Sequence, residues 1–136
     1  MERTASCACG QLSITVSGDP VFVAACSCIQ CQKRTGSAFG LSSYFKDDQV
    51  MARAGKSRKA SRIADSGLNI AGDFCPRCGS TVFWQGEFLP GHTGVAVGCF
   101  ADPDFPEPTI SVWNASKVHW VKFPETWKHV IDQKVR

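Results

Sequence analysis

Seven of the eight cysteines in this 136-residue chain fall into three tight clusters: Cys7-Ala8-Cys9-Gly10, Cys26-Ser27-Cys28-Ile29-Gln30-Cys31 and Cys75-Pro76-Arg77-Cys78-Gly79. The last is a zinc-knuckle signature, in which a tight turn aims two thiolates at one ion and glycine permits the backbone conformation that follows. A knuckle supplies half of the four ligands a structural zinc takes, so it must borrow a pair from elsewhere. Cys7 and Cys9, also followed by glycine, are the natural pair. A site made of Cys7, Cys9, Cys75 and Cys78 would be closed and structural, and its binding energy would be folding energy.

Cys26, Cys28 and Cys31 remain, one ligand short of closure. Zinc with three protein ligands keeps a position for water or substrate, the property that separates catalytic from structural sites. Three thiolates leave the ion electron-rich. That disfavours hydrolysis and suits holding a substrate thiol as its thiolate, a nucleophile at neutral pH. The chemistry predicted is the making or breaking of a carbon–sulfur bond. Two other readings stay open: a second closed structural zinc completed by Cys99, His92, His119 or His129, and a metal-free thiol redox centre. Two zinc ions per chain are expected, the second held more weakly and therefore partly occupied. No histidine adjoins the triplet, which leaves Lys33, Arg34, Thr35, Ser37 or ordered water to supply a proton. Cys99, after the apolar Val95-Ala96-Val97-Gly98, reads as a small buried hydrophobe.

The rest of the chain must position these sulfurs. It is 43% hydrophobic and 20% charged, with 12 Gly and 7 Pro, a composition that folds. Its length suits one domain spanning residues 1–136. The first seven residues lack the apolar core of a secretory signal, and the longest apolar run, residues 21–26, is too short to span a bilayer. The expectation is a soluble, cytoplasmic protein whose thiols stay reduced; a secreted chain would instead point to a disulfide framework. The net charge of +3, brought close to zero by seven thiolates and two zinc ions, selects neither membrane nor nucleic acid as partner.

Period-two patterning dominates. Residues 11–16 alternate apolar and polar, meet the turn signal Gly18-Asp19-Pro20 and lead into the apolar 21–25, which reads as a hairpin. Further strands are expected at 40–45, 50–54, 81–84, 94–99, 109–113 and 118–121, giving a mainly antiparallel β fold. Only 30–37 and the last dozen residues are expected to form helical turns. Between residues 53 and 62 lie Arg53, Lys56, Arg58, Lys59 and Arg62 with no acid. This run could attract an anionic ligand, or an acidic partner if the chain is a non-catalytic zinc module, and otherwise reads as a solvated loop or edge strand. Phe39, Tyr44, Phe45, Phe83, Trp84, Trp113, Trp120 and Trp127 are expected mostly in the core between sheets, with some walling a pocket beside the second zinc.

The three motifs, in this order, resemble the glutathione-dependent formaldehyde-activating enzyme family, which includes centromere protein V. The early C-x-C-G, the C-x-C-x-x-C leading through Gln32-Lys33-Arg34 into Thr35-Gly36-Ser37, and Phe74-Cys75-Pro76-Arg77-Cys78-Gly79-Ser80 carry the resemblance. It implies a single-domain, mainly β fold with few short helices, its two sheets meeting like a tent and stapled by zinc on Cys7, Cys9, Cys75 and Cys78. A second zinc on Cys26, Cys28 and Cys31 would be the site of thiol chemistry. The implied activity is that of a carbon–sulfur lyase run in reverse, joining glutathione and formaldehyde as S-hydroxymethylglutathione, so the implied partners are a small thiol and an aldehyde. The chain has Ala25 and Thr109 where relatives often carry histidine, and is shorter than the enzymes that named the family. Lys117 and Trp120 match a late motif read as packing.

Overall fold

The structure is a computed structural model, described for residues 1–132. Among the described residues eleven strands form two sheets: β1 (Glu2–Ser6), β2 (Ser13–Ser17), β3 (Phe22–Cys26), β4 (Gly40–Lys46), β5 (Val50–Ala54), β6 (Arg58–Ile63), β7 (Asn69–Phe74), β8 (Thr81–Gly86), β9 (His92–Ala96), β10 (Ile110–Val112) and β11 (Lys128–His129). One short helix, α1 (Ile29–Thr35), follows β3. The smaller sheet runs β1-β2-β5 and the larger β11-β10-β3-β4-β9-β8-β7-β6. The fold is mainly β with two sheets, as expected.

The expected hairpin between 11–16 and 21–25 does not form. β2 pairs with β1 and β5, whereas β3 pairs with β4 and β10 in the other sheet. The burial patterns give the reason. β2 alternates, with Ile14 and Val16 buried, and so suits a sheet with one wet face. In β3, Val23, Ala24 and Ala25 are all buried, so this strand needs cover on both faces. The chain crosses between sheets at Gly18-Asp19-Pro20, where Gln49 Nε2 donates to the carbonyls of Ser17 and Asp19, both at 2.9 Å.

Other expectations shift as well. β10 runs parallel to both β3 and β11, so the larger sheet is mixed. Residues 118–121 form a turn closed by Val121 N–H to Val118 C=O at 3.0 Å, because the edge of β10 they would need is taken by β11. The described part of the last dozen residues supplies that edge strand in place of a helical turn; residues 133–136 of that expectation lie outside the described residues. β9 ends at Ala96 and continues as a 3-10 turn, Val97–Phe100. β1, β6 and β7 were not legible, since each carries at most one buried residue.

Ala5, Ile14 and Val16 of the small sheet pack with Phe45, Val82, Phe83 and Val95 of the large one, joined by Leu12 and Phe100. The opposite face of the large sheet is hollow. Phe22, Ala24 and Cys26 of β3, Ser42 and Tyr44 of β4, Trp84 of β8, Ile70 of β7 and Arg62 of β6 line a single cavity of about 720 Å³. Strands from both ends of the sheet share it, so the sheet curves around this space. A bulge leaves Val82 without a partner between Asp73↔Phe83 and Phe74↔Thr81. Val82 and Phe83 therefore both reach the core while Thr81 and Trp84 face the cavity.

Candidate metal centres

The turns β1–β2 and β7–β8 bring Cys7, Cys9, Cys75 and Cys78 together, with all four sulfurs within 4.8 Å of one another. Cys9 Sγ lies 3.6 Å from Cys7 and 3.7 Å from Cys75. Four sulfurs arranged tetrahedrally, each about 2.3 Å from a central zinc, stand about 3.8 Å apart, so the group fits that ion. The two arms are built alike. Gly10 and Gly79, at φ of 85° and 84°, complete turns closed by Gly10 N–H to Cys7 C=O (2.9 Å) and Gly79 N–H to Cys75 C=O (2.8 Å).

Backbone donors surround the sulfurs as anions require. Leu12 N–H reaches Cys7 Sγ at 3.3 Å, and Arg77 and Cys78 N–H reach Cys75 Sγ at 3.3 and 3.4 Å. Ser80, whose hydroxyl lies 3.4 Å from Cys78 Sγ, holds that thiol down to about 5 through its side chain and then its N–H. Gln11, which the sequence did not single out, donates to Cys75 Sγ at 3.0 Å and to Lys56 C=O at 2.6 Å while accepting from Lys56 N–H at 2.9 Å. It ties the metal group to the β5–β6 connection.

The second group is Cys26, Cys28 and Cys31, again with sulfurs within 4.8 Å. Cys26 ends β3, Cys28 caps α1 by accepting Cys31 N–H at 3.3 Å, and Cys31 lies on the helix's buried side. Among the described residues no further Cys, His, Asp or Glu joins this cluster. Cys99 is half-buried against the main core. His129 hydrogen-bonds Ser111 Oγ at 2.6 Å and His92 contacts Pro90 C=O at 3.0 Å.

A polar shell fixes the triplet. Ser27 C=O, between two of its cysteines, accepts from Gln32 Nε2 at 2.9 Å and Ser116 Oγ at 2.8 Å, and Gln32 also donates to Ser116 C=O. The same loop holds Trp113, buried, at φ 60°. A left-handed tryptophan costs about 1–2 kcal/mol and is held here by Asn114, whose N–H and Nδ2 both reach Val130 C=O. Trp113 packs with Cys28, Cys31 and Val112.

All three sulfurs lie on the cavity wall, with Lys33, Arg34, Tyr44, Trp84 and Trp113. Hydrogen bonds from Cys26 and Cys28 draw the Cys31 thiol down to about 3, and the Arg34 guanidinium adds to this. Cys26, hydrogen-bonded to Cys28 and Cys31, is pushed up in turn. Arg34 lies over the Trp84 ring at 4.8 Å. Of the other proton donors considered, Thr35 is engaged with Cys31 C=O at 2.8 Å and Ser37 is exposed. Tyr44 is the hydroxyl the sequence did not flag for this role. Enclosure pushes its phenol up to about 12, against hydrogen bonds with Trp84 and Ser42, so it stays protonated at neutral pH. The register Cys26↔Gly40 places Ser42 and Tyr44 on the sulfur side, a relation visible only once β3 and β4 are paired.

The Trp84 indole covers Gly94, where a Cβ would lie 2.1 Å from its Nε1. Gly94→Ala is therefore expected to push the indole into the cavity and cost about 1–3 kcal/mol by overpacking, read as a lower urea midpoint together with a changed near-UV dichroism. An unchanged midpoint and spectrum would contradict this placement. Trp120, expected in the core, is 65% exposed; the turn at 118–121 carries its ring outward. Lys117 instead donates to Val121 C=O.

The basic run does not form one patch. Arg53 in the small sheet lies over Phe83 at 5.5 Å, Lys59 pairs with Asp73 at 2.8 Å, and Arg62 on the edge strand of the large sheet enters the cavity wall. The edge-strand reading of the run holds.

A two-sheet β framework carrying two cysteine groups that could each hold a metal defines a class of cysteine-rich metal-site proteins. Residues 2–116 match the family model described as glutathione-dependent formaldehyde-activating enzyme, and the chain belongs to that family. Its fold is similar to the crystal structure of a Rhodobacter sphaeroides protein from a structural genomics programme. That likeness has a TM-score of 0.56 at 19% identity, over 71% of this chain and 85% of the other. No curated protein matches the chain.

Proposed function

We propose that this chain is a zinc-dependent carbon–sulfur lyase of the formaldehyde-activating type, forming or cleaving a thiol–aldehyde adduct such as S-hydroxymethylglutathione. The observation that carries the reading is the three-sulfur group, joined by no fourth side-chain ligand among the described residues and facing a cavity. On this reading residues 1–136 form one zinc-binding domain. Cys7, Cys9, Cys75 and Cys78 staple it, and Cys26, Cys28 and Cys31 hold the ion where the reaction occurs. Seven cysteines acting as metal ligands suit a reducing compartment such as the cytoplasm.

Zinc at the triplet supplies a cation that keeps a substrate thiol as its thiolate at neutral pH. The residues around it do the rest. The cavity wall is mainly apolar, so few of its groups hold water beside the aldehyde. Arg34, pinned on Trp84, adds positive charge beside the sulfurs. In the forward direction the substrate sulfur bonds to the aldehyde carbon, the carbonyl π bond opens, and the proton lost by the thiol ends on the new hydroxyl. Tyr44, protonated and on the same wall, is positioned to hand on that proton. Cleavage is the reverse, with no change of oxidation state.

Exchange NMR of ¹³C-formaldehyde with glutathione tests the reading. The zinc-loaded protein should accelerate adduct exchange in proportion to its concentration. Exchange at the uncatalysed rate with every thiol tried would overturn the proposal.

A further inference from the structure

The cavity in front of the triplet is mainly apolar, and its walls are aromatic. Phe22 stacks on Tyr44 at 4.7 Å, and Tyr44 meets Phe88 edge-on at 5.6 Å. Trp84, Trp113 and Ile70 extend this apolar surface, and the polar lining groups Gln30, Ser42, Ser66 and Thr81 are uncharged. At about 720 Å³ the space matches sites that enclose drug-sized ligands, far more than a one-carbon aldehyde fills. Glutathione brings two carboxylates, an ammonium and two amides, each needing a partner once desolvated. Among the lining residues the only carboxylate is Asp65, already accepting Ile29 N–H at 3.0 Å.

Two lining cations, Lys33 and Arg62, form no ion pair among the described residues; Lys33 is exposed to water, whereas Arg62 is not. Arg62 has its Nη1 buried without a hydrogen bond. Buried donors are almost always satisfied, and a guanidinium with one unsatisfied nitrogen in a mainly apolar wall is matched by a carboxylate, which a guanidinium can bind with two hydrogen bonds. Arg34, by contrast, is spent on Trp84 and Cys31.

Resting on the lyase reading above, we infer that the preferred thiol is an apolar, aryl-bearing monocarboxylate, its ring against the aromatic wall and its carboxylate on Arg62. The step is unchanged: the S–C bond forms, and the thiol proton ends on the former carbonyl oxygen. Arg62 is a specificity-determining residue that touches the substrate away from the reacting atoms.

The test compares 4-(mercaptomethyl)benzoate, its methyl ester and glutathione, each with formaldehyde, on zinc-loaded wild type, Arg62→Gln and Arg62→Lys. Thiol binding is followed by calorimetry in parallel. The acid is expected to exceed glutathione in kcat/KM by about 10-fold or more, as one satisfied charged hydrogen-bond pair implies. Arg62→Gln should raise KM for the acid by a similar factor and leave the ester unchanged, with Arg62→Lys in between. Faster turnover of glutathione than of the acid, or equal losses for acid and ester in Arg62→Gln, would overturn this inference and leave the lyase reading standing. Binding of the acid that depends on Arg62, with no thiol turned over, would support the pocket assignment and overturn the lyase reading. Neither binding nor turnover would overturn both.

Discussion

Replacing Cys75 with serine is expected to leave the chain largely unfolded in native buffer, as is removal of metal from the wild type by excess chelator. Structural zinc in small domains contributes about 10–16 kcal/mol of apparent binding energy, against a total stability of about 5–15 kcal/mol for an ordinary domain. Cys75 is fully buried and belongs to the cluster that joins the two sheets. The shorter serine side chain also weakens the bonds from the N–H groups of Arg77 and Cys78 to Cys75 Sγ, while Gln11 Nε2 keeps Lys56 C=O. Far-UV dichroism and a urea titration decide the matter. A cooperative transition at the wild-type midpoint in Cys75→Ser would contradict the staple.

Cys28→Ser is expected to behave in the opposite way, keeping the fold while losing activity. Cys28 packs in a small satellite cluster with Cys31, Val112 and Trp113, apart from the core that joins the sheets. The near-isosteric swap costs about 1–3 kcal/mol, which the staple can absorb. Even residues one step removed from a metal change affinity or activity by about 10–100-fold. Loss of one of three ligands should therefore lower adduct exchange by about 100-fold or more. Wild-type exchange rates in a folded Cys28→Ser protein would remove the triplet from the chemistry.

The metal groups were legible because knuckle chemistry is local. Cys-Pro-x-Cys-Gly dictates its own turn, and the demand for four ligands names the missing pair, so Cys7 and Cys9 could be set beside Cys75 and Cys78 across 66 residues of chain separating Cys9 from Cys75. The triplet's gathering is equally local, since a strand end, a cap and the first turn of α1 supply all three sulfurs. The cavity is another matter. It depends on how far the large sheet curls and on which strands share it, a long-range property that period-two patterns do not encode. Arg62 thus reads in the sequence as one charge in a basic run, and Tyr44 as one aromatic among many. The mistaken hairpin has the same origin: alternation identifies a strand and not its neighbour, and only the unbroken burial of β3 against the half-burial of β2 separates the two sheets.

Everything in the functional account turns on whether Cys26, Cys28 and Cys31 hold an ion of their own. Native mass spectrometry of zinc-loaded wild type and Cys28→Ser, with dichroism as a check on folding, addresses this most directly. Two zinc ions per wild-type chain and one in the folded variant are expected. The same zinc count in both proteins would contradict this.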